Sequence, residues 1–309
     1  MGTNTIDQLS DAELASSLDG DFTSRYAQVN GICLHYVSGG SGAPLLLLGG
    51  WPQTWWQWHK VLPALARRYR VFAVDIRGMG GSDKPADGYD KKSMAGDIRA
   101  LVEHLELGAV HIAGHDIGAM VAYAYAVNYP ESTASVSLLD VPHPNSGWAD
   151  FGLLPAPDQH VDTVIEAGDR SYLWWFAFNQ VRELPELLLE GRIRLLIDWL
   201  FQRQAVDQAD IDERSRQVYA RAYGSADAIR AGNSWYQAFT RDIADEQIYP
   251  PVTAPMLALG GSASNYGYLR DLMPAKATDV QVREIANCGH YLPEEQPEAV
   301  IAALTEFLG

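Results

Sequence analysis

An α/β architecture is predicted by this sequence: one mostly parallel sheet, helices on both of its faces, and an all-helical insertion. Three features carry that expectation. Short continuous apolar runs recur along the chain, as strands buried on both faces of a parallel sheet require. Segments of helical hydrophobic periodicity lie between those runs. The alternation then stops between Pro142 and about Ile248, where helical patterns continue without a strong strand run, and resumes afterwards.

Residues 1–20 are polar and acidic and read as a loose arm, with a short helix over Asp11–Ser17. Arg25–Asn30 and Ile32–Ser38 are expected to form an antiparallel hairpin around Asn30-Gly31, a dipeptide that accepts the left-handed backbone of a tight turn. Buried strands follow at Pro44–Leu48, Val71–Asp75, Val110–Ala113, Ser135–Leu139 and Met256–Leu259, and a further strand at Val280–Ile285, for an eight-stranded sheet. Helices are expected at Trp55–Arg68, Ser93–Leu107 and Gly118–Tyr129. Within the insertion they are expected near Asp162–Val181, Arg192–Gln202, Ile211–Tyr223 and Ser225–Thr240. The chain thus divides into an arm (1–20), a core (21–141 and 249–309) and a helical insertion (142–248).

Composition narrows the function. The net charge of −16 argues against a nucleic-acid partner, whose phosphates call for Lys and Arg. Two cysteines, Cys33 and Cys288, cannot build a disulfide framework or a zinc site, and a reducing cytoplasm is the natural compartment. Neither a signal-peptide pattern nor an apolar run long enough to cross a membrane is visible. Met1-Gly2 does not make a myristoylation signal, because Ile6 stands where Ser or Thr is needed. No metal or cofactor is expected. The oligomeric state is left open, a homodimer included.

The chemistry concentrates at Gly114-His115-Asp116-Ile117-Gly118-Ala119, between a strand and an apolar helix. Glycines two residues either side of a central residue permit a sharp strand-to-helix turn that exposes that side chain above a helix N-terminus. Ser is usual at its tip. Asp116 is instead a carboxylate with a reference pKa of about 3.9, so it needs no base before attacking an electrophile. The helix dipole favours its charge. The plainer reading is an Asp that caps an ordinary helix.

Together with other motifs, this turn resembles the epoxide hydrolase branch of the α/β-hydrolases. The resemblance runs from about Arg25 to Leu308. It rests on Gly49-Gly50-Trp51-Pro52, where the family has His-Gly-x-Pro, on Asp75-Ile76-Arg77-Gly78-Met79-Gly80-Gly81-Ser82-Asp83, on Gly114–Ala119, and on Cys288-Gly289-His290. It implies the α/β-hydrolase fold, with the insertion as a helical cap. Gly49 in place of the family's His puts the rigidity of that loop in question.

The resemblance implies roles for particular residues. Asp116 would be the covalent nucleophile and His290 the general base that hydrolyses the resulting ester. No acid follows the strand after the insertion, where many relatives carry one: the stretch reads Gly260-Gly261-Ser262-Ala263-Ser264-Asn265. Asp140, at the end of the strand before the insertion, takes that place, as in fluoroacetate dehalogenases and some bacterial epoxide hydrolases. Asp271 is the alternative. The backbone amides of Trp51 and Ile117 would form the oxyanion hole, and the bond before Pro52 is a candidate for the cis form. On the insertion, Tyr172-Leu173-Trp174-Trp175-Phe176 and Ser234-Trp235-Tyr236 align with segments that carry donors to the opened epoxide oxygen. Tyr236 can give up a proton; an indole N–H of Trp174 or Trp175 can only hydrogen-bond. Trp51, Ile117, Trp174, Trp175 and Tyr236 are therefore the expected substrate contacts, and the reactants are a small-molecule epoxide and water.

Nine Trp residues suggest a bulky aromatic epoxide. The tryptophan pair is also similar to that of epoxide hydrolases in aromatic-polyketide pathways of the kinamycin and lomaiviticin kind. Two other functions remain in view. A hydrolytic dehalogenase would share the Asp and His. However, fluoroacetate dehalogenases carry Arg where this chain has Ile117 and Met120, and haloalkane dehalogenases pair a Trp and an Asn where it has Ile117 and Trp51. A non-catalytic receptor on the same fold would show a broken triad.

Overall fold

A computed structural model describes residues 9–151 and 173–309. The strands are β1 (Thr23–Val29), β2 (Ile32–Gly39), β3 (Ala43–Leu48), β4 (Tyr69–Val74), β5 (Val110–His115), β6 (Thr133–Leu139), β7 (Met256–Gly261) and β8 (Val280–Ile285). They form one eight-stranded sheet in the order β1-β2-β4-β3-β5-β6-β7-β8. The β1–β2 and β2–β4 pairs are antiparallel, and all other pairs are parallel. The apolar runs of β3, β5 and β6 are almost fully shielded, which is why they lack the polar alternation of a half-exposed strand.

This order positions the site. From β3 the chain moves outward to β4 on one side, and from β5 outward to β6 on the other. The sheet's switch point therefore lies between β3 and β5, where the loops after the two strands diverge and leave a crevice at their carboxyl ends. The loop after β3 carries Trp51, and the turn after β5 carries Asp116.

Helical segments from Trp174 to Glu246 fill the interval between β6 and β7. A buried ion pair ties them to the core. Lys91 Nζ lies 2.8 Å from Asp242 Oδ2 and donates to the Trp235 carbonyl at 2.8 Å, with Lys91 wholly buried. Losing one partner of such a pair costs roughly 3–5 kcal/mol, because the other charge is left buried and alone.

Several expectations are corrected. Trp55–Arg68 is not one helix but a 3₁₀ turn, Trp55–Trp58, and a single helical turn, Leu62–Leu65, with Pro63 in its first positions. Proline lacks an amide proton and fits only the start of a helix, so Pro63 divides the segment. Ser225–Thr240 is likewise two helices, Ala226–Gln237 and Phe239–Glu246. At the break, Lys91 Nζ takes the Trp235 carbonyl, an intrusion of the kind that interrupts helical hydrogen bonding. A short helix at Leu184–Leu189 was not expected. The helix proposed near Asp162–Val181 falls partly outside the described residues; its described end is helical over Trp174–Gln180.

The arm, from residue 9 onward, is not loose. Its helix Asp11–Ser16 has a Ser10/Glu13 capping box and buries Leu14 and Ala15, and Asp11 Oδ1 accepts a 2.8 Å bond from Trp55 Nε1. Among the described residues no helix is long and apolar enough to cross a membrane.

Candidate active site

Asp116 stands alone between β5 and the helix Ile117–Asn128, with φ 53° and ψ −122°. A non-glycine residue at positive φ is strained, and such strain persists only where the surroundings impose it. Here they do. A Cβ on Gly118 would fall 2.3 Å from the Leu48 carbonyl oxygen, and one on Gly114 would fall 2.1 Å from that of Gly118. Only glycines let the strand, the turn and β3 approach this closely, and the approach forces the Asp116 side chain outward.

The carboxylate meets the loop after β3. Trp51 N donates to Asp116 Oδ1 at 2.8 Å, and the Ile117 amide is also directed at the carboxylate. The Trp51–Pro52 bond is cis. Gly49 does not leave this loop slack. Gly50 N donates to Gln57 Oε1 at 3.0 Å, Trp55 N to Asp75 Oδ1 at 2.8 Å, and Tyr223 OH to the Gln53 carbonyl at 2.8 Å. Side chains from three different segments thus brace the loop.

His290 Nε2 lies 3.7 Å from Asp116 Oδ2, and its Nδ1 donates to Asp140 Oδ2 at 2.6 Å. Asp140 is fully buried. It also accepts bonds from Gly261 N (3.1 Å), Ser264 Oγ (2.7 Å), Asn265 N (3.3 Å) and Asn265 Nδ2 (3.2 Å). Burial alone would raise this carboxyl, but the His290 contact and the surrounding donors hold it below the ordinary carboxylate value. Burial would likewise lower His290, yet the bond to Asp140 and the charges of Asp140 and Asp116 leave it raised. Burial pushes Asp116 up, while His290 and the amides of Ile117 and Trp51 pull against it.

Asp271 is far more exposed than Asp140 and pairs with its neighbour Arg270 at 2.8 Å. The segment Ser262–Asn265, which lacks an acid, instead donates hydrogen bonds to Asp140. The acid from β6 and the donors after β7 thus occupy one place.

A cavity of about 950 Å³ opens above these groups. Asp116, His290 and Trp51 line it from the core, and Trp175, Phe176 and Tyr236 line it from the helical insertion. Tyr236 is almost completely buried, its ring 5.5 Å from that of Trp51 and 5.4 Å from that of Phe176. Burial, followed by the charge of Asp116, raises its hydroxyl well above the usual value. Trp174 is not brought to the cavity; its ring packs on Trp199 at 5.4 Å and Phe178 at 5.8 Å. Ile117 is buried and offers its amide rather than its side chain.

Sequence reasoning passed over His115 and Glu295. His115 Nε2 donates to the His290 carbonyl at 2.7 Å. Burial pushes its pKa down to about 3, so it stays neutral beside His290. The signals were the His beside Asp116 and the paired acids of Leu292-Pro293-Glu294-Glu295 after His290, but neither fits a motif by itself.

A family model described as the alpha/beta hydrolase fold matches residues 43–297. A soluble epoxide hydrolase from Corynebacterium sp. (strain C12) is 33% identical over 292 residues, which cover 93% of this chain and 97% of that protein. A fluoroacetate dehalogenase from Burkholderia sp. is 28% identical over 300 residues, covering 93% and 94%. Among solved structures, the ligand-free epoxide hydrolase CorEH superposes with a TM-score of 0.78 at 31% identity, over 93% of this chain and 99% of the other. With the family match spanning most of its length and the same sheet, turn and loops in place, this chain belongs to the α/β hydrolase fold family.

Proposed function

We propose that the chain hydrolyses an epoxide to a vicinal diol through an ester on Asp116. The observation that carries this reading is a carboxylate, not a hydroxyl, at the strained turn, in one cavity with His290 and Tyr236. Named relatives support it, since both the Corynebacterium protein and CorEH are epoxide hydrolases.

An Asp116 oxygen attacks a ring carbon, and that carbon's bond to the epoxide oxygen breaks. Tyr236 supplies a proton to the alkoxide, and Trp175 offers an indole N–H. Neutral His290 then takes a proton from water, and the hydroxide attacks the ester carbonyl carbon. The amides of Trp51 and Ile117 hold the oxyanion. Collapse releases the diol as His290 returns its proton to the leaving alkoxide, and the proton left on the Asp116 carboxyl passes to the Tyr236 phenolate, which restores both groups. The net reaction adds one water. The helical insertion acts as a cap, over residues 142–248, and brings Tyr236 to the chemistry.

A fluoroacetate dehalogenase is among the relatives, and a haloacid's carboxylate would call for a cation beside the nucleophile. Arg203 and Arg270 line the cavity, but neither stands on the helix that follows Asp116. Met120, at a position where such enzymes carry Arg, lines this cavity as an apolar side chain. The volume and the rings of Trp51, Trp148, Trp175 and Phe176 favour a bulky aromatic epoxide. Both cysteines are unpaired, which supports a reducing compartment such as the cytoplasm.

A single turnover in heavy-oxygen water tests the covalent step. The first diol should carry an unlabelled oxygen from Asp116, with the label entering the carboxylate. Mass spectrometry showing labelled oxygen in that first diol would mean direct attack by water.

The cap donors give a second expectation. Tyr236→Phe should slow formation of the Asp116 ester by roughly 10²–10³-fold, the usual cost of losing one oxyanion donor. Hydrolysis of an ester already formed should change little. Trp175→Phe should act on the same step more weakly, and Trp174→Phe hardly at all. Transient kinetics separates the steps; an unchanged alkylation rate in Tyr236→Phe would place the donor elsewhere.

A further inference from the structure

The loop that carries His290 is held by a carboxylate that the reaction scheme does not use. Glu295, on the short helix Leu292–Glu295, is buried. Its Oε2 accepts from Gly289 N at 2.9 Å and from Val206 N at 2.7 Å, and its Oε1 accepts from Tyr291 N at 2.8 Å. Gly289 and Tyr291 are the two neighbours of His290. The amide between them, His290 N, donates to the Gln204 carbonyl at 2.9 Å. Gln204 ends the insertion helix Ile193–Gln204, and Val206 lies just beyond it. Three consecutive amides of the His290 loop are thus fixed, and the same carboxylate reaches across to the insertion.

We propose that Glu295 is a positioning residue that clamps the His290 loop to the end of the insertion helix and, as a buried anion, sustains the basicity of His290. The proposal rests on the reading of His290 as the base that hydrolyses an Asp116 ester.

The hydrogen bonds define the charge state. All three partners of Glu295 are N–H donors, so both oxygens act as acceptors, and a protonated carboxyl would have to turn its own O–H toward a donor. Burial leaves this carboxyl raised above its ordinary value, with the three amides pulling against that rise. Cys288, His290 and Tyr291 are the titratable groups that face it. His290 itself is faced by Asp140 from the end of β6, Asp116 from the turn after β5, His115 from β5 and Tyr291 from its own loop. Glu295 adds a negative charge to that set without touching the ring. Its removal should loosen the ring's placement and favour the neutral imidazole at lower pH.

Two readouts test this, and one does not depend on the reaction. The His290 imidazole is titrated by NMR in histidine-labelled wild type, Glu295→Gln and Glu295→Asp. Glu295→Gln should shift the His290 midpoint to lower pH, while Glu295→Asp, which keeps the charge, should leave it near the wild-type value. The second readout is single-turnover kinetics with styrene oxide. Ester formation on Asp116 should stay within about twofold in both variants, which also reports that the site is folded. Ester hydrolysis should fall by roughly 10²-fold in Glu295→Gln, the scale of a small misplacement of a catalytic group. Glu295→Asp should recover part of that loss. An unchanged His290 midpoint together with unchanged ester hydrolysis in Glu295→Gln would overturn the proposal. A shifted midpoint with no ester detected in any form, wild type included, would leave the clamp standing and remove the ester reading instead.

Discussion

His290→Gln should leave an enzyme that opens its epoxide once and then stops. Attack by Asp116 needs no base, because the nucleophile is already a carboxylate, so the alkylation rate should remain close to wild type. The ester then faces water that no side chain activates. Removing the histidine of a nucleophile–histidine–acid set costs up to about 10⁶-fold in turnover, and a loss of roughly 10⁵–10⁶-fold is the expected result here. Intact-protein mass spectrometry should find one substrate mass retained on the chain, on the peptide that carries Asp116. Failure of any adduct to accumulate in His290→Gln would sink the two-step scheme. The wild-type enzyme should show the matching pH dependence. Ester hydrolysis needs neutral His290, so it should fall as pH drops through the histidine's value. Burial works to lower that value, and the Asp140 bond and the nearby charges raise it above the ordinary one in the free enzyme. Esterification neutralises Asp116 and removes one of those charges. The acid limb measured on the ester should therefore lie below the His290 midpoint titrated in the free enzyme.

Asp140→Asn should slow the same step while sparing ester formation. The carboxylate accepts the Nδ1 proton of His290 at 2.6 Å, which leaves Nε2 free to take a proton from water. An amide presents a donor as readily as an acceptor and carries no charge to stabilise an imidazolium. In the best-studied triad that exchange costs about 10⁴-fold, so a loss of roughly 10³–10⁴-fold in ester hydrolysis is expected. Asp271→Asn should have no comparable effect, because its carboxylate pairs with Arg270 at the surface. Stopped-flow measurement of the ester's decay in both variants checks the assignment. Normal decay in Asp140→Asn with slow decay in Asp271→Asn would reverse it.

The sheet and the sharp turn were legible because local physics writes them. A strand buried on both faces must be continuously apolar, and a turn as tight as Gly114–Gly118 excludes a Cβ at both glycines. Both leave their mark on a few consecutive residues, so a short window of sequence records them, even though the crowding at Gly118 comes from β3. Helix ends were mostly legible, as at Ile193–Gln204, expected at Arg192–Gln202 with no capping bond to mark it, but breaks inside a helical pattern were legible only as proline or capping signals. Pro63 was such a signal, and the expected Trp55–Arg68 helix ran through it. The break near Ala238 had none, because its cause is Lys91, far away in the sequence.

By itself, then, the sequence determined an α/β sheet with a helical insertion, and a carboxylate at the tip of a strand-to-helix turn. Only the tertiary structure showed which acid meets His290: the resemblance favoured Asp140 over Asp271, but no local pattern joins residues 150 apart. It also decided between adjacent tryptophans. Successive residues on an α-helix point about 100° apart, so one of Trp174 and Trp175 must turn from a surface that the other faces, and the packing of the whole helix chooses. Trp199 and Phe178 hold Trp174, and the cavity receives Trp175. Glu295 was the least legible of all, because its partners are backbone amides, which every residue but proline possesses and no sequence pattern marks.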